Sequence, residues 1–269
     1  MVERPRRSRW PARLDYFQSA SGLLLALFMW FHMAFVATIL LSQDALYAVA
    51  KMFEGDFLFG HGNPNPLTLP RFGVSIPVTL VVAVVFFLVI AHAFLAMRKF
   101  PANFRQLRTF RGHMAMMNHE DTTLWFTQAF TGFALFFLAS AHLFIMLTHS
   151  AQIGPYESSY RVWQENMWPW YALLLLAVEF HGGIGLYRLA VKWDWFGGAN
   201  PGKARHRLKV LKWAITVFLL VIGFATLGAL MKLGHYYQSH PGERYQPKWE
   251  QHAPGAAPPA APAEAGGNR

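Results

Sequence analysis

Four histidines stand inside long apolar stretches of this sequence: His32 in "WFHMAF", His92 in "VIAHAFLAMRKF", His142 in "LASAHLFIM" and His181 in "AVEFHGGIGLYR". An imidazole in hydrocarbon is expensive and is normally turned to the interior of a bundle, where something satisfies it. One such residue reads as a hydrogen-bonded structural histidine. Four of them, on four consecutive apolar stretches, read as a constellation, and neutral imidazole is above all a metal ligand.

Depth sorts the four into pairs. His92 lies 6 residues before Arg98 and His181 lies 7 residues before Arg188, so each is roughly 9–10 Å below the same boundary at about 1.5 Å per helical residue. His32 stands 10 residues before Ser42 and His142 stands 7 residues before His149, on stretches running the opposite way, which puts both in the other half. Two imidazole pairs at two depths suit two b-type haems, each iron taking one neutral nitrogen on each face and each porphyrin standing edge-on between helices. Small residues flank three of the four: Ala139 by His142, Ala177 and Gly185 by His181, and Ala96 by His92. His32 has only Phe28, Met29, Phe35 and Val36 at those spacings, and small residues serve tight helix packing equally well. A zinc or copper site would want its ligands in one cluster. A proton relay would want carboxylates along the route, and only Glu179 lies within a span.

The elements that must position these residues are membrane helices. Segments 16–43, 72–97, 122–156, 166–187 and 213–231 are nearly free of Lys, Arg and Asp, and each reaches the roughly 20 apolar residues needed to cross about 30 Å of hydrocarbon. The first follows a basic stretch, "RPRRSRWPARL", but is too long for a signal-peptide core and lacks a small-residue cleavage site, so it is expected to be retained. With five crossings, the N-terminus and the 98–121 and 188–212 loops share one side and hold 17 of the 24 Lys and Arg residues. The positive-inside rule puts that side in the cytoplasm and the C-terminus outside. The net charge of +10 is then a matter of topology and anionic headgroups and does not point to nucleic acid. The sequence contains no cysteine, which excludes covalently attached c-type haem, cysteine-ligated iron-sulfur clusters and disulfides within this chain.

The expected organisation is a basic cytoplasmic arm over 1–14, a five-helix domain over 15–234 and an extracytoplasmic, largely disordered Pro/Ala-rich tail over 235–269. "PNPLTLP" and "MWPWY" are turn and interface signals. No inverted pair of broken helices suggests a secondary transporter.

The stretches "RLDYFQSASGLLLALFMWFHMAFVATILL", "IAHAFLAMRKFP", "HEDTTLWFTQAFTGFALFFL" and "VEFHGGIGLYRLAVKWDWF" resemble the five-helix, di-haem cytochrome b subunit of menaquinol:fumarate reductases and succinate dehydrogenases. The likeness runs from about residue 10 to 232, with all four histidines in register. It implies an all-α membrane protein, a bundle of five transmembrane helices enclosing two haem b groups, in a bacterial cytoplasmic (inner) membrane. It also implies an anchoring role in anaerobic respiration beside an iron-sulfur subunit and an FAD flavoprotein subunit on the cytoplasmic face, in an assembly open to a dimer of heterotrimers.

By this resemblance His92 and His181 ligate the proximal haem, nearest the iron-sulfur subunit, and His32 and His142 the distal one. "KMFE" matches the stretch in which a glutamate at the outer end meets quinol, which makes Glu54 the proton acceptor as menaquinol is oxidised. Glu179 would belong to a proton path; two residues from His181, it points about 200° around the helix and away from the proximal iron. Gln18, Ser19, Trp125 and Lys192 match the surroundings of the proximal propionates. FAD and iron-sulfur clusters belong to the partners. Two other readings stay open on the sequence: the cytochrome b anchor of a hydrogenase or formate dehydrogenase, and a non-redox, proton-coupled carrier whose histidines titrate.

Overall fold

A computed structural model describes residues 8–60, 65–117 and 119–248. Half of the basic arm, residues 1–7, and the Pro/Ala-rich stretch after residue 248 lie outside the described residues.

Helix α1, Trp10–Val36, starts with Pro11 in its first turn and passes through a short 3-10 turn, Ala37–Leu40, at its far end. Proline is tolerated there because the first-turn N–H groups have no helical partner. Helix α2, Gln43–Glu54, follows at once; Ser42 Oγ accepts the Ala45 N–H at 3.0 Å, and Gly55 closes the helix at φ +87°. That left-handed conformation is one a glycine adopts without Cβ strain. A small antiparallel pair, β1 (Thr68–Leu69) and β2 (Val74–Ser75), leads into α3, Ile76–Met97. Then come α4 (Phe104–Met117), α5 (Glu120–Thr148), α6 (Pro155–Trp163), α7 (Trp168–Lys192) and α8 (Pro201–Ser239).

Helices α1, α3, α5, α7 and α8 are each long and apolar enough to cross a membrane. Four of them close a ring, α1 against α3, α3 against α5, α5 against α7 and α7 against α1, while α8 packs outside it on α7. The four histidines are carried one on each helix of the ring. Val78, Val82, Val85 and Leu143 knit α3 to α5. Ile39, Leu46, Val162 and Leu230 form a second cluster at the end opposite the N-terminus, joining α2 and α6 to α8. Large apolar side chains such as Leu80 and Phe87 on α3 or Phe130 and Phe144 on α5 point outward, 60–69% exposed. Such a surface is disfavoured in water and natural in lipid.

The structure departs from the expected segments in instructive ways. The apolar segment 122–156 ends as a helix at Thr148, and after a turn α6 begins with Pro155 in its first turn. The last span grows from 213–231 to Pro201–Ser239, because hydropathy marks only the part of a helix that lies in hydrocarbon, and Lys203, Arg205, Arg207 and Lys209 do not oppose helix formation. Helix α8 thus continues past residue 234, and Tyr245 and Lys248 bond back to α2, so this part of the expected tail is ordered against the bundle. Helices α2, α4 and α6 are too short, or too interrupted by charged residues, to announce themselves as spans.

Candidate functional site

Within the ring the histidines meet as two pairs. The His92 and His181 rings face each other with centroids 6.3 Å apart and planes perpendicular. The His32 and His142 rings are 6.1 Å apart, tilted by 53°. Rings bonded on either side of one metal, at about 2.0–2.1 Å per nitrogen plus about 1.2 Å from nitrogen to ring centre, would be roughly 6.5 Å apart. Each gap therefore has the width a bis-imidazole metal needs. Among the described residues no three His, Cys, Asp or Glu side chains gather as a metal cluster; the histidines stand as two separate pairs.

Hydrogen bonds settle which nitrogen of the first pair is free. His181 Nδ1 lies 2.9 Å from the Gln128 backbone carbonyl, which can only accept, so Nδ1 carries the proton and Nε2 keeps its lone pair. Ser21 Oγ donates to the Phe17 carbonyl at 2.8 Å and is left to accept from His92 Nδ1 at 3.1 Å. Two glycines on neighbouring helices admit these rings. A β-carbon at Gly22 would stand 2.9 Å from His92 Cε1, and one at Gly132 would stand 2.7 Å from His181 Cε1. In the second pair Phe28 stacks on His32 at 5.8 Å, Tyr171 meets His142 edge-on at 5.7 Å, and His142 Nδ1 is buried without a hydrogen bond.

All four rings line one cavity of about 1710 Å³, larger than the roughly 300–1,000 Å³ of an ordinary small-ligand pocket and in proportion for two bulky groups. Ala96, Ala139 and Gly185 line it too. At the N-terminal end its wall includes Gln18, Ser19, Trp125 and Lys192. Lys192 donates to Ser19 Oγ at 3.3 Å and, with Arg98 and Lys99, surrounds the Asp15 carboxylate at 2.9–3.6 Å. Gln18 Oε1 is buried with no partner. Arg188 Nη1 donates to Gln128 Oε1 at 2.5 Å, so one glutamine holds both a histidine and an arginine. At the far end Arg161, on α6, reaches the cavity wall nearly buried, its Nη2 on the Gln152 carbonyl at 3.0 Å. Cations at both ends of an apolar cavity can hold an anionic group at either level.

Glu54 and Glu179 are buried but do not line this cavity. Glu54 closes α2, with Lys51 Nζ 2.8 Å from its carboxylate and Asn65 Nδ2 donating to its backbone carbonyl at 3.0 Å. Burial pushes the Glu54 carboxyl above its ordinary value, against the downward pull of Lys51 and with small upward help from Asp56 and Glu157. Burial alone would lower the Lys51 ammonium; the bond to Glu54 and the charges of Glu54, Tyr47 and Asp56 together outweigh it and hold Lys51 above its ordinary range. Its neighbour Phe53 does reach the cavity. Glu179 is 1% exposed and its Oε1 has no partner. One turn on, Gly183 packs directly on Thr216 of α8, so Glu179 lies on the side of α7 that faces α8, outside the ring.

Sequence reasoning missed Ser21, Gln128, Arg161, Gly22 and Gly132. Only the glycines carried a signal, as lone glycines in the apolar runs "SASGLLL" and "FTGFAL", where glycine costs helix stability and so implies close approach.

Residues 104–222 match the family of succinate dehydrogenase/fumarate reductase transmembrane subunits. The chain is 54% identical over 229 residues, 85% of each chain, to the fumarate reductase cytochrome b subunit of Wolinella succinogenes. It is 51% identical over 223 residues, 83% of this chain and 82% of the other, to the subunit of that name from Helicobacter pylori strain J99.

Proposed function

Because this chain belongs to the succinate dehydrogenase/fumarate reductase transmembrane-subunit family, we propose that it anchors a quinol:fumarate reductase in the bacterial cytoplasmic membrane and carries electrons between menaquinol and the complex's soluble subunits. The observation that carries this reading is the stacking of two facing imidazole pairs, 6.1 and 6.3 Å between ring centres, inside one closed ring of helices.

His92 and His181 would hold a proximal haem b, and His32 and His142 a distal one. Bound there, the two haems supply one-electron carriers spaced across the bilayer, which splits the two-electron oxidation of quinol into single steps. The protein's share is positional. Ser21 and the Gln128 carbonyl hold the Nδ1 protons of the proximal pair, so that each ring offers Nε2. Lys192, Ser19, Gln18 and Trp125 receive the polar edge of the proximal group, and Arg161 answers the distal one.

Menaquinol docks at the outer end beside α2, where Glu54 takes a proton as the quinol loses two electrons and two protons. An iron-sulfur subunit and an FAD subunit at the cytoplasmic end would take these electrons and supply fumarate reduction, two electrons and two protons converting fumarate to succinate; the same wiring would carry the reverse flow. Orientation follows the basic residues, with the N-terminus cytoplasmic and the C-terminus outside. Moving an electron across the bilayer costs about 2.3 kcal/mol per 100 mV, and Glu179 stands on a proton path that offsets this charge movement.

The test is purification of the intact complex. The expected result is an iron-sulfur protein and a flavoprotein accompanying this chain, a sharp b-type α band on dithionite reduction, two haems per chain, and fumarate reduction driven by a menaquinone analogue. Protein lacking iron porphyrin, or accompanied only by nickel or molybdenum subunits, overturns the reading.

A further inference from the structure

After α8 ends at Ser239 the chain turns at Gly242 and comes back across α2. The Tyr245 hydroxyl donates to Asp44 Oδ1, and the same oxygen accepts the Lys248 backbone N–H at 3.3 Å. The Tyr245 ring lies 5.5 Å from that of Tyr47, one turn along α2, and Pro247 is fully buried. Tyr237 donates to Gln43 Oε1 at 3.1 Å, and Arg244 stands over the Tyr156 ring at 4.8 Å, on α6. Burial and the neighbouring Asp44 carboxylate hold the Tyr245 phenol above its ordinary range, so it remains a donor.

We infer that this returning segment is a clasp that positions Glu54 for quinol, with Tyr245 and Asp44 as its positioning residues. The inference rests on the assignment of Glu54 given above. A helix of 12 residues is marginal by itself in water, so what packs on α2 decides where it sits. One side of it is fixed by Leu46 in the far-end cluster, and its last carbonyl by Asn65. The clasp grips the N-terminal turns, at Gln43, Asp44 and Tyr47. Capped at both ends, by Ser42 and Gly55, α2 moves as a rod about 18 Å long, and a shift at Asp44 is carried to Lys51 and Glu54. The half-buried ion pair at that end has little slack, since its Glu54 side is out of water and the geometry must be kept for the pair to offset that desolvation.

The experiment uses the whole complex with Tyr245→Ala, Tyr245→Phe, Asp44→Asn, the Tyr245→Ala/Asp44→Asn double variant and Glu54→Gln. Each is assayed for fumarate reduction driven by a menaquinol analogue and by reduced viologen, which feeds electrons to the soluble subunits. For Tyr245→Ala the expected result is a KM for the quinol analogue raised roughly fivefold, the size of one lost hydrogen bond. Its kcat stays within about twofold, the viologen-driven rate and haem spectrum are unchanged, and amide exchange over residues 45–54 is faster. Tyr245→Phe, which keeps the ring and loses the hydroxyl, falls between, and the double variant stays within about twofold of Tyr245→Ala, because Asp44→Asn only weakens a hydrogen bond that Tyr245→Ala has already removed. An unchanged KM in Tyr245→Ala and Tyr245→Phe, with Glu54→Gln inactive towards quinol, overturns the clasp and leaves the quinol site standing. Full quinol turnover in Glu54→Gln overturns the quinol site and the clasp's purpose together. If Tyr245→Ala loses the viologen-driven rate as well, its complex has failed to assemble, and the Tyr245→Phe KM decides.

Discussion

The imidazole of His181 on α7 and the backbone carbonyl of Gln128 on α5 are joined by a 2.9 Å hydrogen bond, and one turn further along α5, Gly132 leaves the space the ring occupies. The ring is held from behind by a group that no side-chain substitution can remove, and its free nitrogen is left towards the cavity.

The two pairs should be separable. His142→Ala is expected to remove the haem held with His32 and leave the one held with His92, taking haem content from two to one per chain in a pyridine haemochrome assay. Retention of both would show the pairing to be wrong.

Gly132→Leu puts a branched side chain where a β-carbon alone already stands 2.7 Å from His181 Cε1. Overpacking of this kind costs about 1–3 kcal/mol, and here the group displaced is the ligand ring. The expected outcome is loss of the proximal haem with the distal one spectrally intact. Normal content of both haems would refute the close-approach argument.

Ser21→Ala removes the hydroxyl that accepts from His92 Nδ1 and weakens the hold on that N–H. Donation from Nδ1 makes an imidazole a stronger ligand and favours the oxidised metal, so its loss raises the midpoint potential of the haem held by His92. The shift is at most about 40 mV, the equivalent of about 1 kcal/mol for one electron. Potentiometric titration of both haems checks this, and a downward shift would contradict it.

The pH dependence of quinol oxidation follows from Glu54. A proton acceptor must be ionised, and burial holds this carboxyl above the ordinary 4.5, so kcat/KM for quinol falls on acidification at a pH above that value. Lys51→Leu removes the bond and charge that pull the carboxyl down and moves the acid limb further up. The stability sign runs the other way: with the folded value raised, the fold favours the neutral carboxyl, a contribution present in full below 4.5 and lost as pH rises through the raised value. An acid limb that does not move in Lys51→Leu assigns it to another group.

Much of this was legible in the sequence because depth in a membrane is a matter of counting. The distances of His32, His92, His142 and His181 from the ends of their spans allotted them to two levels, and the structure brings those same rings face to face. Rotation about the helix axes was not legible, so nothing in the sequence placed Gly22 against His92 or Gly132 against His181. The Gln128 carbonyl has no side-chain signature at all. Arg161 sits on α6 and the environment of Glu54 is built by α2, short helices of mixed composition that read as loops. The burial of Glu54 further depends on Asn65, eleven positions away in the chain, and that could emerge only from the fold.

Helix α8, with its 39 residues, is about 58 Å long, whereas hydrocarbon about 30 Å thick, crossed even at a steep tilt of about 40°, takes up only about 39 Å. The remainder must stand in water as a stiff spur, and Lys203, Arg205, Arg207 and Lys209 on its first turns mark where much of it stands. Because α8 contributes no histidine to the ring, this spur can change in length or angle from one species to another, turning about 100° for each residue inserted, and re-aim whatever docks on it without disturbing any of the four imidazoles.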